Sequence, residues 1–403
     1  MELPFADKAS ATAAFAEHVN RGKVTTYQAL GLDIVMGERE GSWFTDAYDT
    51  DRRWLNCHCN GGVFNLGHRN SEVSAAVRSA LDSLDIGNHH LVSPWRAELA
   101  RRLAATTDGR LPGVVFGVGG GEAIDLALKV ARAQTRRTTI VSAVGGYHGH
   151  TGLAMATGDA QYRDPFGPQP PGFVQVPFGD LEALARVVDD ETAAVILEAI
   201  PATLGMPLPP PGYLRAVGEL CHRVGAVFIV DEIQTGLGRT GTMWSHTQDG
   251  AEPDMIVTGK GLSGGLVPIS ATLMTRALHA FFDEQPFVHI STFGGAELGC
   301  VAGLAVLDIV ERPDFLDRVQ RLGSTLEAGL EGLPLVVRRR GLFAGLKFAD
   351  EAGGMAATQR VISAGVFAIF ANNDPSVLQL LPPLTISDDE QAWLVQRLQE
   401  VLR

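Results

Sequence analysis

Asp231 ends the apolar run AVFIV and opens the segment DEIQTGLGRTG, and Lys260 follows a second apolar run in DMIVTGKGLSGG. A carboxylate at the end of a fully apolar strand lies where ligands collect in wound α/β sheets, although the cap of a following turn or helix would use the same residue. A lysine held among glycines at such a strand end can be partly desolvated, and an amine with a lowered pKa forms a Schiff base with an aldehyde. Taken alone, Lys260 is explained equally well as a surface lysine in a flexible loop. Gly119, Gly120 and Gly121 join the run GVVFGV to the helical pattern EAIDLALKVARAQ (122–134). Glycines there let the backbone approach a ligand, and the free N–H groups of the helix's first turn would hold an anion such as a phosphate; a tight β-α connection is the commoner reason for such a turn. Tyr147 and His148, in GYHGHTG, follow another apolar run and offer aromatic surface that is either core or a platform for a flat ring.

An anion cradle, a Schiff-base lysine, an aromatic platform and a strand-end carboxylate are the parts needed to hold pyridoxal phosphate. Each has an ordinary explanation by itself, but the four together do not share one. In this arrangement Asp231 would face the pyridine nitrogen and keep it protonated, so that the ring can take up the electrons of a substrate carbanion.

These residues need a frame. GVVFGV (113–118), TTIVSAV (138–144), AAVILE (193–198), AVFIVD (226–231), DMIVTG (254–259) and ISATLM (269–274) are short, β-rich and nearly continuously apolar, as strands covered on both faces are. Helical patterns such as EAIDLALKVARAQ and GYLRAVGELCHRVG (212–225) lie between them. The expected fold class is therefore α/β, a mostly parallel wound sheet with helices on both faces, in a large domain over residues 55–300. Residues 1–54 and 301–403 carry long helical patterns and one or two strand candidates, LVVRRR and GLFAGLKFA, and are expected to fold together as a smaller α+β domain.

Composition removes other classes. Acidic residues outnumber basic ones by 46 to 33, a net charge of −13, and the densest basic cluster is Arg338–Arg340, so no nucleic-acid partner is expected. No run of about 18 uninterrupted apolar residues occurs and the N-terminus lacks a basic-then-apolar leader, which points away from the membrane and to the cytoplasm. NCHCN crowds Cys57, His58 and Cys59 too closely to wrap one tetrahedral ion, and Cys221 and Cys300 complete no second cluster, so no metal is expected. Reduced thiols are the simpler account.

From GSWFTDAYDTDRRWLNCHCNGGVFNLGHRN to LQLLPPLTIS the chain resembles the class III pyridoxal-phosphate aminotransferases of fold type I, the group containing acetylornithine, ornithine and 4-aminobutyrate aminotransferases. DEIQTGLGRTG followed by TGKGLSGG carries the resemblance most specifically, and GGGEAIDLALKVAR, GYHGHTG and STFGGAELGC support it in the same order. The resemblance implies that Lys260 forms the internal aldimine and shuttles the proton between substrate carbon and cofactor. It implies that Asp231 pairs with the ring nitrogen, that Gln234 hydrogen-bonds the phenolic oxygen, and that Tyr147 stacks on one ring face, with His148 in the same cofactor-binding motif. Ile233 would pack on the other face, Gly120 and Gly121 would offer N–H groups to the phosphate, and Thr292 would reach the phosphate of a neighbouring subunit, implying a homodimer with shared active sites. The resemblance also implies a small-molecule amine donor and an oxo acid, ketone or aldehyde acceptor. Racemases, aminomutases and a decarboxylase share the fold and begin with the same chemistry, so a racemase or epimerase, aminomutase or decarboxylase is the alternative that the resemblance leaves open.

Two arginines by which many members hold substrate carboxylates are replaced. The aromatic motif reads Tyr147-His148-Gly149-His150, and the residue before LLPPL is Gln379. Neither a neutral imidazole nor an amide makes the bidentate, permanently charged contact of a guanidinium, so the usual binding of glutamate and 2-oxoglutarate loses its anchors unless Arg163, Arg239 or Arg340 substitutes. Gly119 also replaces the serine that usually precedes the phosphate-binding glycine. Glu198 resembles the partner of the second missing arginine. Left without it, Glu198 is expected to be protonated, to meet a cation from the ligand, or to be neutralised by an Arg or Lys of the small domain. His150, Glu198 and Gln379 are thus the candidate substrate-facing residues.

Overall fold

The computed structural model describes residues 2–403. Seven strands form its central sheet: β1 Gly113–Gly117, β2 Thr139–Ala143, β3 Phe173–Val176, β4 Thr192–Glu198, β5 Val227–Asp231, β6 Met255–Thr258 and β7 Ser270–Met274. Their order is β1-β7-β6-β5-β4-β2-β3. Only β7 runs against its neighbours, β1 and β6; the other pairs are parallel.

The unbroken apolar runs have their expected cause. Every residue of β4, β5, β6 and β7 is buried, because helices cover both faces of the sheet. On one face Ile124, Ala127 and Val130 of helix α1 (Gly120–Thr135) pack with Ala194, Ile196, Ile229 and Val257. On the other, Leu214, Val217 and Cys221 of helix α2 (Tyr213–Val224) pack with Val195, Leu197, Phe228 and Val230. Alternation along a strand therefore puts Glu198, in step with Ala194 and Ile196, and Asp231, in step with Val227 and Ile229, on the α1 side.

Three details differ from the sequence-based expectation. Helix α1 begins at Gly120 rather than about Glu122, so two of the three glycines lie in its first turn. Strand β3 is an addition; FVQV is short and lies at the sheet edge, where only Val176 is fully buried. Eight strands lie in the flanking segments or at their border, not one or two. Met36–Glu40, Trp43–Asp46, Arg53–Asn56 and Val366–Phe367 form one four-stranded sheet, and Leu335–Arg340, Phe343–Phe348, Asp374–Leu380 and Ile369–Ala371 form another. MGERE is almost wholly exposed and carries no apolar alternation, and Val366–Phe367 adds two residues beside Leu55 and Asn56. Such strands exist through their partners, not through local pattern. One apolar cluster joins Leu32, Phe44, Trp54 and Leu55 from before the central sheet with Leu326, Leu346, Leu378 and Leu398 from after it.

Arg239, in the turn after β5, ties these parts together. It is fully buried; Nε and Nη2 donate to Asn65 Oδ1 at 3.0 and 2.6 Å, and Nη1 donates to the carbonyls of Leu342 and Pro382 at 3.2 and 2.5 Å. Burial lowers its pKa to about 10. Its donors are committed to the fold, so it does not stand in for a substrate-binding arginine. Arg239→Met should lower stability by about 3 kcal/mol, because three buried acceptors lose a charged donor. A urea midpoint within error of the parent's would contradict this role.

Candidate active site

Strands β4 and β5 pair with Glu198 opposite Asp231, and β5 and β6 pair with Asp231 opposite Val257. The two carboxylates thus sit side by side at the carboxyl ends of adjacent parallel strands, 7% and 5% exposed. Asp231 Oδ1 accepts the Ile233 N–H at 2.9 Å, the local turn contact that a capping residue would make. Its Oδ2 lies 2.8 Å from His148 Nδ1. Burial disfavours charge on this imidazole, but the hydrogen bond and charge of Asp231 outweigh it and raise His148 above its ordinary pKa. His148 is thus the cationic neighbour of Asp231 in the cleft. The other ring nitrogen, Nε2, is buried without a partner among the described residues.

Lys260 follows β6 by a single extended glycine, Gly259, and has φ 44°. A left-handed backbone at a lysine costs about 1–3 kcal/mol and persists only where the surroundings impose it. The strain aims the side chain into the same cleft, where Nζ donates to Gln234 Oε1 at 3.1 Å. Burial lowers the amine's pKa against the opposing pull of Asp231 and Glu198. A larger neutral fraction makes it a better nucleophile.

The first-turn N–H groups of α1 have no intrahelical acceptors and open on this cleft. Two close approaches require glycine there: a Cβ on Gly121 would fall 2.6 Å from Thr151 Oγ1, and one on Gly120 would fall 2.8 Å from Ile233 Cδ1. Gly149, at φ 118°, comes so near that its Cβ would lie 2.8 Å from Gly121 Cα. A cavity of about 140 Å³ is lined by Gly120, Gly121, Tyr147, His148, Glu198, Asp231, Ile233, Gln234 and Lys260. A second, of about 340 Å³, shares Gly120 and Lys260 and extends along Val118, Ser263 and Leu266.

The remaining candidates lie elsewhere. Thr292 is exposed, in the connection between the helices Phe281–Glu284 and Glu297–Val310, and lines neither cavity. His150 is exposed at the rim, its ring 5.2 Å from that of Tyr147 and 5.6 Å from that of Tyr162, centroid to centroid. Gln379 is buried and donates to the Ala202 carbonyl at 3.0 Å, while the Ala202 N–H donates to Glu198 Oε2 at 3.2 Å. Gln379 thus reaches Glu198 only through the backbone of Ala202. Arg163 faces Asp164 at 3.4 Å, and Arg340 has Asp249 and Glu232 as its charged neighbours; neither lines the 140 Å³ cavity.

The turn that begins inside NCHCN has a place in the site that sequence reasoning misses. Cys59, Asn60, Gly61 and Gly62 are all left-handed, with φ 50°, 51°, 66° and 94°. A Cβ on Gly61 would lie 3.5 Å from Lys260 Cε, so this turn forms a wall beside the lysine. His58 is half-buried next to it, and desolvation and the Lys260 charge pull its pKa down to about 4. Asn-Gly-Gly, three residues tolerant of positive φ in succession, was the available signal.

The residues present fit pyridoxal phosphate: a glycine cradle that side chains would fill, an amine depressed by burial, and a strand-end carboxylate paired with a histidine. Comparison with known proteins agrees. Over 397 residues, 97% of this chain and 93% of the other, the sequence is 50% identical to an uncharacterized aminotransferase of Archaeoglobus fulgidus. The ornithine aminotransferase of Toxoplasma gondii ME49 superposes with a TM-score of 0.89 at 25% identity, covering 99% of this chain and 96% of that one. An amine transaminase from an uncultivated Pseudomonas species, in its PLP-bound form, superposes with a TM-score of 0.83 at 27% identity, covering 92% and 94%. Residues 26–402 match the family Aminotransferase class-III, and with this cleft at its centre the chain belongs to that family of pyridoxal-phosphate-dependent aminotransferases.

Proposed function

We propose that Lys260 and Asp231 carry the amino transfer between a small amine donor and an oxo acid, ketone or aldehyde. The observation that carries this is their convergence in one buried cleft, with the Lys260 amine depressed and the Asp231 carboxylate held at 2.8 Å by His148. The bound cofactor supplies an electron-accepting ring. Asp231 would hold a proton on the ring nitrogen, and the first-turn N–H groups at Gly120 and Gly121 would bind the phosphate. Tyr147 and Ile233 would flank the ring, and Gln234, which now accepts from Lys260, would turn to the phenolic oxygen. The freed Lys260 amine would take the proton from the substrate carbon and return it at the cofactor. The glycine wall at Gly61 leaves room beside that amine.

The same reading includes a homodimer in which Thr292 completes the partner's phosphate site. It is supported by a run of exposed apolar side chains around that residue, Phe287, Val288, Ile290 and Phe293, with Leu91 and Val92 exposed as well. It also takes residues 55–300 as the cofactor-binding domain and 1–54 with 301–403 as the small domain, supported by the apolar cluster the two end segments share. Four buried cysteines without disulfides favour a reducing compartment, the cytoplasm. No described helix is long and apolar enough to cross a membrane.

A panel of amines offered to the loaded protein, read by spectral conversion to the pyridoxamine form, tests the activity directly; a spectrum that no donor changes would overturn it. Lys260→Ala should keep the fold by circular dichroism and lose turnover by at least about a hundredfold. Borohydride that still links the cofactor to another lysine in an active variant would reject the assignment. Asp231→Asn should still take up cofactor yet lose activity on the order of a hundredfold, since the charge facing the ring is gone. Near-parent rates there would make Asp231 a turn residue only.

A further inference from the structure

Asp231 and Glu198 are neighbours in the sheet, but only Asp231 has a cationic partner. Glu198 Oε1 accepts the Tyr147 N–H at 2.9 Å and Oε2 accepts the Ala202 N–H at 3.2 Å. Each oxygen keeps a free lone pair. Among the described residues no Lys or Arg forms an ion pair with Glu198, and the charged groups that face it are His148, Asp231 and Lys260. His148 is committed to Asp231, and the Lys260 amine to Gln234. Two cations of the C-terminal segment are engaged elsewhere: Arg338 donates to the Gly205 carbonyl at 2.8 Å, and Lys347 pairs with Asp374 at 3.3 Å. Gln379 brings an amide in place of a charge and uses it on Ala202.

We infer that Glu198 filters substrates by the charge at their far end, accepting an amine donor that carries a second ammonium group and turning away one that ends in a carboxylate. The inference rests on the aminotransferase reading and names the substrate class for that site. An ionised carboxylate shut from water gains most from a cation that arrives with the ligand. A ligand carboxylate would instead become a third negative group beside Glu198 and Asp231. Burial pushes the Glu198 pKa up to about 7, with His148 pulling down and Asp231 pushing up. An incoming ammonium therefore selects the ionised form. Its advantage should be full above that pH and shrink as pH falls through about 7, where the carboxyl takes up a proton.

Three amines of equal length test the filter: 1,4-diaminobutane, 1-aminobutane and 4-aminobutanoate. Their binding is measured by calorimetry on the Lys260→Ala protein loaded with cofactor, and their kcat/KM by spectral conversion of the parent holoenzyme. The diamine should exceed 1-aminobutane by about tenfold or more, and 4-aminobutanoate should be weakest. Glu198→Gln should collapse this order, the diamine losing its lead of about tenfold over 1-aminobutane, and Glu198→Asp should restore part of it. Equal binding of the diamine and 1-aminobutane, or preference for 4-aminobutanoate, overturns the inference in the Glu198-bearing protein whether or not the glutamine variant folds. If no amine converts the parent's spectrum, the aminotransferase reading fails, and the calorimetric order still decides the filter.

Discussion

The parallel pairing of β4 with β5 is the constraint on which the site depends. Its register sets Glu198 against Asp231, and the two-residue period of a strand turns both carboxylates to the α1 side. Two like charges forced together at the end of a dry sheet cannot both be comfortable, and the surroundings treat them differently. Asp231 receives an imidazole raised by its own presence, while Glu198 is hydrogen-bonded only by peptide N–H groups and burial pushes its pKa up to about 7. A difference of partners at one rung of the sheet thus gives one carboxylate an imidazole and leaves the other to backbone N–H groups.

Around this rung the backbone is brought in close by residues that give up a side chain or accept strain. Gly120, Gly121 and Gly149 let the start of α1, the loop after β2 and Ile233 meet without room for a Cβ. Lys260 and the Cys59–Gly62 turn adopt left-handed backbone and lie side by side. Arg239 holds the turn that carries Asp231, Ile233 and Gln234 against Asn65 and the LLPPL segment. The machinery near Lys260 is in this way fastened to both ends of the chain.

Much of this was legible in advance. Strands covered on both faces advertise themselves as unbroken apolar runs, so six strands of the central sheet and helices α1 and α2 were readable to within a residue or two. Their ends marked Asp231, Lys260, Glu198 and the glycine turn, because in such a sheet functional residues gather where apolar runs stop. The flanking sheets were not readable. Met36–Glu40 is solvent-facing and charged, and Val366–Phe367 is too short to show a period; both are strands because Trp43–Asp46 and Arg53–Asn56 lie beside them. The wall at Gly61 was hidden for a related reason. Its turn residues were visible, but nothing local says that Lys260 lies across from them.

The sequence by itself determined the chemical parts and their places on strands, since residue type and apolar period are properties of short segments. It also determined that no guanidinium stands at positions 150 and 379. Only the tertiary structure decided what those absences mean. Whether a cation from elsewhere reaches Glu198, whether Arg239 serves a substrate or the fold, and whether His148 protonates to hold Asp231 all depend on distance and burial between residues far apart in the chain. Those quantities are set by packing.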